Sequence, residues 1–375
     1  MSEVATSSAA PAVAGRPVLA PTDMETGAVS NVLLLGIDMG TSRSSIVSMS
    51  GTRKTIDSYV GFPKDAVSRK HLKADVIFGR HALDNRLALD LYRPLEKGVV
   101  KGTSDEAGAS SNGDSQRKNL AAAKLLLKHL VDLVSPGRDQ LLYGVVGVPS
   151  RATVRNKQAI LEAAREVLDS VMIVSEPFSV AYGLERMSDV LVIDIGAGTT
   201  DLCRMHGTVP SEEDEISYSI AGDAIDQRLY DLIQRKYPRA SLTINMCKQM
   251  KEQYGFVSDT KDRVEVMLPV DGKPTPHDVT DEIKAACEII VQPILEGIHK
   301  LVSTFNPEFQ ERLRGNIILS GGGGLLDGLN KRIEDGLSTV GGGRVTVIEE
   351  PVYAGANGAL QLALDMPSEY WQQLK

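Results

Sequence analysis

An apolar strand that ends on an aspartate and breaks at once into glycines and small hydroxyl residues occurs twice in this chain, which limits the folds open to it. In Val190-Leu-Val-Ile-Asp-Ile-Gly-Ala-Gly-Thr-Thr-Asp201, the aliphatic and β-branched residues from Val190 to Ile195 mark a buried strand. Gly196 and Gly198 then remove side chains where a ligand could approach. Such a turn offers backbone N–H groups to an anion, and Asp194 at the strand end is placed to hold a hydrated cation. An ordinary hairpin with a buried edge aspartate accounts for this single stretch equally well. However, Val32-Leu-Leu-Leu-Gly-Ile-Asp38-Met-Gly40-Thr41-Ser42 repeats the design 194 − 38 = 156 positions earlier. Two such turns, one heading each half, imply an internally duplicated protein whose halves grip one polyphosphate from opposite sides.

The 375 residues suit about two or three domains, and 42% hydrophobic residues supply sizeable cores. The net charge of −8 and the lack of a basic run interleaved with aromatics argue against a nucleic-acid partner. Cys203, Cys247 and Cys287 are odd in number and widely spaced, which disfavours a disulfide framework or a zinc site; each reads as a small core residue in a reducing cytoplasm. The apolar runs fall short of the roughly 20 residues a membrane span needs. Residues 1–30, rich in Ala, Ser, Pro and Thr, are expected to be a disordered tail without a secretory signal.

Further along, Ile46–Ser50, Thr55–Val60, Leu141–Val148, Val171–Val174 and Ile216–Ile220 have strand character. Leu120–Val134, Ala152–Leu168 and Ile244–Phe256 are helical, and Asp281–Phe305 reads as one long helix that Pro293 kinks. The polar, glycine-rich 101–118 stretch reads as a flexible loop. Glu176 precedes Pro177 at a strand's carboxyl end and the start of a helix, where α/β proteins place ligands. A charge favouring the helix dipole is the plainer explanation. Ala221-Gly222-Asp223 opens another helix, and Lys248, Lys251 and Glu252 share a charged helical face that, taken alone, is solvated. A third strand, Gly315–Ser320, runs into Gly321-Gly322-Gly323-Gly324. That turn is open enough for a flat ring to lie against its backbone, or is simply a flexible loop before a helix near Leu325. Gly355 to Leu360 begins a small-residue helix suited to close packing at a junction.

In this order, Asp38-Met-Gly-Thr-Ser42, the 176–184 helix, Asp194–Asp201, 317–324 and 355–360 resemble the five motifs of the actin, Hsp70 and sugar-kinase ATPase superfamily. Gly144-Val-Val-Gly-Val-Pro149, Ser175-Glu-Pro-Phe178, Gly207-Thr-Val-Pro210, Lys251-Glu-Gln253 and Glu369-Tyr-Trp-Gln-Gln-Leu374 are similar to bacterial actins, and more narrowly to the magnetosome-associated ones. The resemblance covers about Leu33 to Leu374; the long N-terminal tail and the 101–118 loop depart from it.

The resemblance implies an α/β, actin-like two-lobed fold of duplicated RNase H-like mixed sheets flanked by helices. Lobe I would comprise 31–187 with 346–375 and an inserted subdomain at about 60–118; lobe II would comprise 188–345 with an insert at about 224–280. It implies ATP and Mg²⁺ in the interlobe cleft, with Asp38 and Asp194, and possibly Asp201, holding the metal through water. Gly40, Thr41 and Ser42, together with Gly196, Ala197, Gly198, Thr199 and Thr200, would cradle phosphates. Gly222, Lys251, Glu252 and Gly321, Gly322 and Gly323 would meet the nucleoside, and Glu176, with Asp38 and Asp194, would serve catalysis by positioning water. The implied function is a cytoplasmic, cytoskeletal ATPase that self-assembles head to tail, with paired strands, and positions magnetosomes with a magnetosome-associated adaptor. A sugar or metabolite kinase, an Hsp70-like chaperone and a membrane-linked scaffold are the competing classes.

Overall fold

The computed structural model describes residues 31–102, 113–259 and 262–374. The expected tail at 1–30 and residues 103–112 of the expected loop lie outside this range.

Two five-stranded mixed sheets organise the chain. In the first, Val32–Met39 is central, with Leu141–Val148 and then Ser170–Ser175 parallel on one side. Arg43–Ser48 and Arg53–Asp57 add antiparallel on the other. In the second, Ser188–Ile195 is central, Thr200–His206 and Glu215–Tyr218 follow antiparallel, and Ile317–Ser320 and Val345–Val347 stand parallel. Numbered in chain order within each sheet, both read 3-2-1-4-5, with the same alternation of direction. The duplication inferred from two short turns therefore extends to whole sheets.

Register places the two aspartates equivalently. Asp38 pairs with Ser45 and Gly147, and Asp194 with Asp201 and Ser320, at matching sites of the two sheets. Both central strands are covered on both faces, which is why their sequences are nearly continuous in apolar residues. Leu35, Ile37, Leu191 and Ile193 have no exposed surface and belong to two separate cores.

The helices Glu176–Gly183 and Ala354–Asp365 cross at a contact that only small residues permit. A Cβ on Gly358 would lie 1.8 Å from the Ser179 carbonyl oxygen, and one on Gly183 would lie 2.7 Å from the Gly358 Cα. The Ser179 hydroxyl donates to the Gly355 carbonyl at 2.8 Å. The small-residue helix expected from 355 onward thus packs at a junction.

Several local expectations require correction. The helix expected from Leu120 begins at Gly113, so residues 113–118 are not loop; Asp114 suits a helix N-terminus, and Lys118 pairs with it one turn on. The expected long 281–305 helix is broken into Thr280–Cys287 and Val291–Ser303 by a 3-10 turn at Glu288–Ile290. The break falls just before Pro293, whose ring clashes with the carbonyl four residues earlier. After Ser320 a short 3-10 segment, Gly322–Leu325, comes first, and the helix starts only at Leu329. The strand expected at Ile216–Ile220 spans Glu215–Tyr218. Between the sheets' strands, small units appear: a three-stranded sheet of Val60–Pro63, Ile77–Phe78 and Leu89–Tyr92, and the hairpin Glu265–Val270 with Lys273–Asp278.

Candidate functional site

The Asp38 carboxylate lies at the carboxyl end of the first central strand, and a Cβ on Gly355 would sit 2.9 Å from its Oδ2. The turn that follows is tight: a Cβ on Gly40 would meet the Arg43 carbonyl at 2.4 Å. The Ser58 hydroxyl donates to the Gly40 carbonyl at 2.7 Å, and the Thr41 hydroxyl accepts from the Gly98 N–H at 2.6 Å.

In the second turn, the Gly196 N–H donates to the Thr199 carbonyl at 2.9 Å. The N-terminus of the helix Gly222–Lys236 clamps the turn from behind, with Gly222 N–H to the Gly196 carbonyl at 3.1 Å and Asp223 N–H to the Ala197 carbonyl at 2.7 Å. A Cβ on Gly222 would press on the Ala197 Cα at 3.1 Å. Gly198 is where the two turns meet, since a Cβ there would come within 2.5 Å of the Thr41 hydroxyl and 2.6 Å of the Lys97 Cα.

Both turns open onto one cavity of about 500 Å³, a size that suits a small-molecule site. Asp38, Gly40, Thr41 and Ser42 line one side and Asp194, Gly196, Ala197, Gly198 and Thr199 the other, with Glu176 among them; Gly222, Lys251, Glu252 and Gly321, Gly322 and Gly323 complete the wall. Two expected residues do not reach it. Thr200 is buried, its hydroxyl donating to the Ile220 carbonyl at 2.8 Å. Asp201 lies behind the turn and accepts from the Ser150 N–H at 3.2 Å; the two sit on opposite faces of a strand that is buried on both.

The carboxylates form a buried, uncompensated group. Burial, and then Asp194, pushes Asp38 up to about 7; burial pushes Asp194 up to about 6 against a hydrogen bond from Ser320. Asp201 is likewise pushed up to about 7 by burial. Glu176 is raised well above the usual carboxylate range by burial first and then by Asp38, Asp194 and Asp201. Its Oε1 is buried with no hydrogen-bond partner among the described residues, and glycine at 147 leaves it room, a Cβ there falling 3.3 Å from its Cγ. An orphaned carboxylate oxygen facing a cavity is the expected condition of a group that acts on something entering it.

At the far end the three glycines differ in purpose. Gly321 has φ +73°, and a Cβ there or on Gly323 would strike Ile195, at 2.5 Å from its carbonyl oxygen and 2.2 Å from its Cγ2 respectively. Gly322 faces open space. Two therefore let the turn close over Ile195, and one leaves the wall flat.

The charged face of the helix Ile244–Tyr254 is turned toward the cavity, with Lys248 and Lys251 half-buried and Glu252 exposed at its rim. Lys251 bonds the Gly222 carbonyl and the Asp226 carboxylate, both at 2.7 Å; Glu252 pairs with Arg43 at 3.0 Å; Lys248 donates to the Ser42 hydroxyl at 2.6 Å. Sequence reasoning missed Lys248, Asp226, Asp223 and Gly98, which line this cavity, and Arg93, which braces the turns from outside it. The one available signal was the spacing of Lys248 and Lys251, which shares a helical face with a residue already singled out.

The family model for the MreB/Mbl protein matches residues 114–369. The actin-like protein MamK of Paramagnetospirillum magneticum is 37% identical over 348 residues, spanning 93% of this chain and 97% of the relative; MamK of Magnetospirillum gryphiswaldense is 37% identical over 93% of each. Among solved structures, a MamK double helical filament superposes with a TM-score of 0.84 at 36% identity, covering 89% of this chain and 99% of that one. A non-polymerising MamK mutant bound to AMPPNP superposes with a TM-score of 0.67. An ADP-bound MreB of Spiroplasma citri, 19% identical with a TM-score of 0.70, shares the fold. Two sheets of identical strand order, facing Asp-Gly turns and a relative alike along nearly its whole length lead to one assignment: the chain belongs to the MreB/Mbl family of actin-like proteins.

Proposed function

We propose that this protein binds ATP with Mg²⁺, hydrolyses it, and polymerises head to tail into cytoskeletal filaments that position magnetosomes. The observation that carries the reading is the single cavity onto which both glycine turns open, with the orphaned Glu176 oxygen between them. The likeness to MamK, whose solved filament is double helical, supports a polymer of paired strands; an adaptor linking the filaments to the magnetosome is part of the same proposal. The lobes would be 31–187 with 346–375 and 188–345.

The residues fit both groups. Gly322 leaves the wall open where a side chain would project, Gly40 and Gly198 let the two turns close tightly beside it, and residues of both turns border the cavity. Asp38 and Asp194, both raised by burial, carry the negative charge a divalent cation would neutralise. Among the described residues no group of three His, Cys, Asp or Glu side chains forms a direct cage, so Mg²⁺ would be held here by the two aspartates with water completing its shell. Bound Mg²⁺ would supply charge neutralisation at the phosphates. The protein's part is positioning: the turns hold the phosphates from two sides, Glu176 orients the attacking water, and the closed walls exclude other solvent. Asp201 and Thr200 support the second turn from behind.

The test is ATP-dependent pelleting with electron microscopy, run beside phosphate release, on wild type and Glu176→Ala. Wild-type polymer with ATP and Mg²⁺, and polymer without phosphate release in the variant, are the expected results. A monomeric wild type across salt and concentration removes the filament reading, and ADP formation that requires an added sugar, with the phosphoryl group left on that sugar and none released, makes the protein a kinase.

A further inference from the structure

One guanidinium ties the two glycine turns together without touching the cavity. Arg93 lies between the strands Leu89–Tyr92 and Leu95–Glu96. Its Nε donates to the Thr41 carbonyl at 2.8 Å, and its Nη2 lies 2.9 and 2.8 Å from the two carboxylate oxygens of Asp223. Asp223 belongs to the other half of the chain, in the first turn of Gly222–Lys236, and its own N–H holds the Ala197 carbonyl at 2.7 Å. An unbroken path of hydrogen bonds therefore runs from the first turn, through Arg93 and Asp223, to the second.

We propose that Arg93 is a positioning residue that latches the cleft closed by setting the separation of the two turns. It does not line the cavity, so it acts on the turns and not on a ligand. The geometry requires arginine: directed N–H groups reach two acceptors at once, whereas a lysine ammonium is a single point charge. A second cross-cleft ion pair, Arg43 with Glu252, is more exposed and so more strongly screened. When the halves part, the Arg93–Asp223 bond must break, so the latch biases the protein toward the closed arrangement and slows escape of whatever the cavity holds. The nucleotide side of this inference rests on the reading of the cavity as an ATP site.

The test uses full-length protein as wild type, Arg93→Gln, Arg93→Lys, Asp223→Asn and the double variant Arg93→Gln/Asp223→Asn. Release of a fluorescent ATP analogue with Mg²⁺ is followed by stopped flow. In nucleotide-free protein, the distance between spin labels at Leu87→Cys and Met267→Cys, both exposed and one in each half, is measured by electron–electron resonance; the native cysteines are buried. Each neutral single variant should release the analogue about five- to tenfold faster, the factor expected for one charge-assisted contact, with association unchanged. The double variant should be no faster than either single one, Arg93→Lys should restore only part, and label distances should lengthen. Unchanged release and distances in Arg93→Gln, or additive effects in the double variant, overturn the latch. If wild type retains no analogue, the nucleotide reading fails, and the label distances alone decide the latch.

Discussion

Lys248 reaches out of the helix Ile244–Tyr254 to donate to the Ser42 hydroxyl at 2.6 Å, so a cation from the second half of the chain stands on the glycine turn of the first. Burial holds its ammonium below the usual lysine range, the opposing influence of Glu252 and Asp57 notwithstanding. A half-buried cation beside a phosphate-type turn is well placed to meet a polyphosphate.

Lys248→Met should therefore weaken ATP affinity about tenfold, the loss of roughly 1.5 kcal/mol expected for a hydrogen bond to a charged group. Equilibrium titration measures it; an unchanged dissociation constant would mean that Lys248 only props Ser42.

Glu176→Gln should keep nucleotide affinity within about twofold while lowering turnover by roughly 10²–10⁴-fold, the range for losing a positioned proton-transfer group. The neutral amide also replaces a buried carboxyl whose Oε1 has no partner among the described residues, so the melting temperature should not fall. Single-turnover phosphate release beside calorimetry reads both, and phosphate release at the wild-type rate would rule out the assigned role.

The connector crossing and the open cavity wall make opposite predictions for the same substitution. Gly358→Ala, with its Cβ 1.8 Å from the Ser179 carbonyl, should destabilise the fold by about 3 kcal/mol or prevent it. Gly322→Ala meets nothing within 4 Å and should stay within about 0.5 kcal/mol of wild type, while weakening nucleotide binding. Thermal unfolding of both variants checks the pair.

The buried Arg204–Asp214 bridge at 2.7 Å should shape acid stability. Burial raises the Asp214 pKa, but bonds from the Ser211 N–H, Arg204, the Ser211 hydroxyl and His206 outweigh it and bring the group down to about 2. A depressed carboxylate contributes stability above its unfolded value of 3.8, and that contribution is lost as pH falls from there through about 2. Urea unfolding between pH 4.5 and 2 should show a steeper loss for wild type than for Asp214→Asn. At pH 7, Arg204→Leu should cost roughly 3–5 kcal/mol, because it leaves Asp214 charged and buried. Parallel pH profiles would mean that the pair contributes nothing in acid.

The residues that border the cavity are the ones a local pattern marks. Asp38, Asp194, the glycines after them and Gly321 to Gly323 announce themselves because a strand end and a close backbone approach are encoded by adjacent residues. Glu176 was visible for the same reason, as a charge between a strand and Pro177. The boundaries that moved, at Gly113 and at Glu288–Ile290, were set by an ion pair one turn apart and by the ring of Pro293, signals weaker than the hydrophobic period.

By itself, the sequence determined that there are two copies of one strand-turn design and which residue types make each turn, because each copy is a short-range pattern of burial and backbone freedom. Only the tertiary structure decided that the turns share a cavity, that Thr200 and Asp201 face away from it, and that Lys248, Arg43 and Arg93 bridge it. The partners of those three cations lie 206, 209 and 130 positions away along the chain. A charged side chain carries no local mark of a partner that distant: on a helix surface it looks solvated until folding brings the opposing turn within a hydrogen bond's reach.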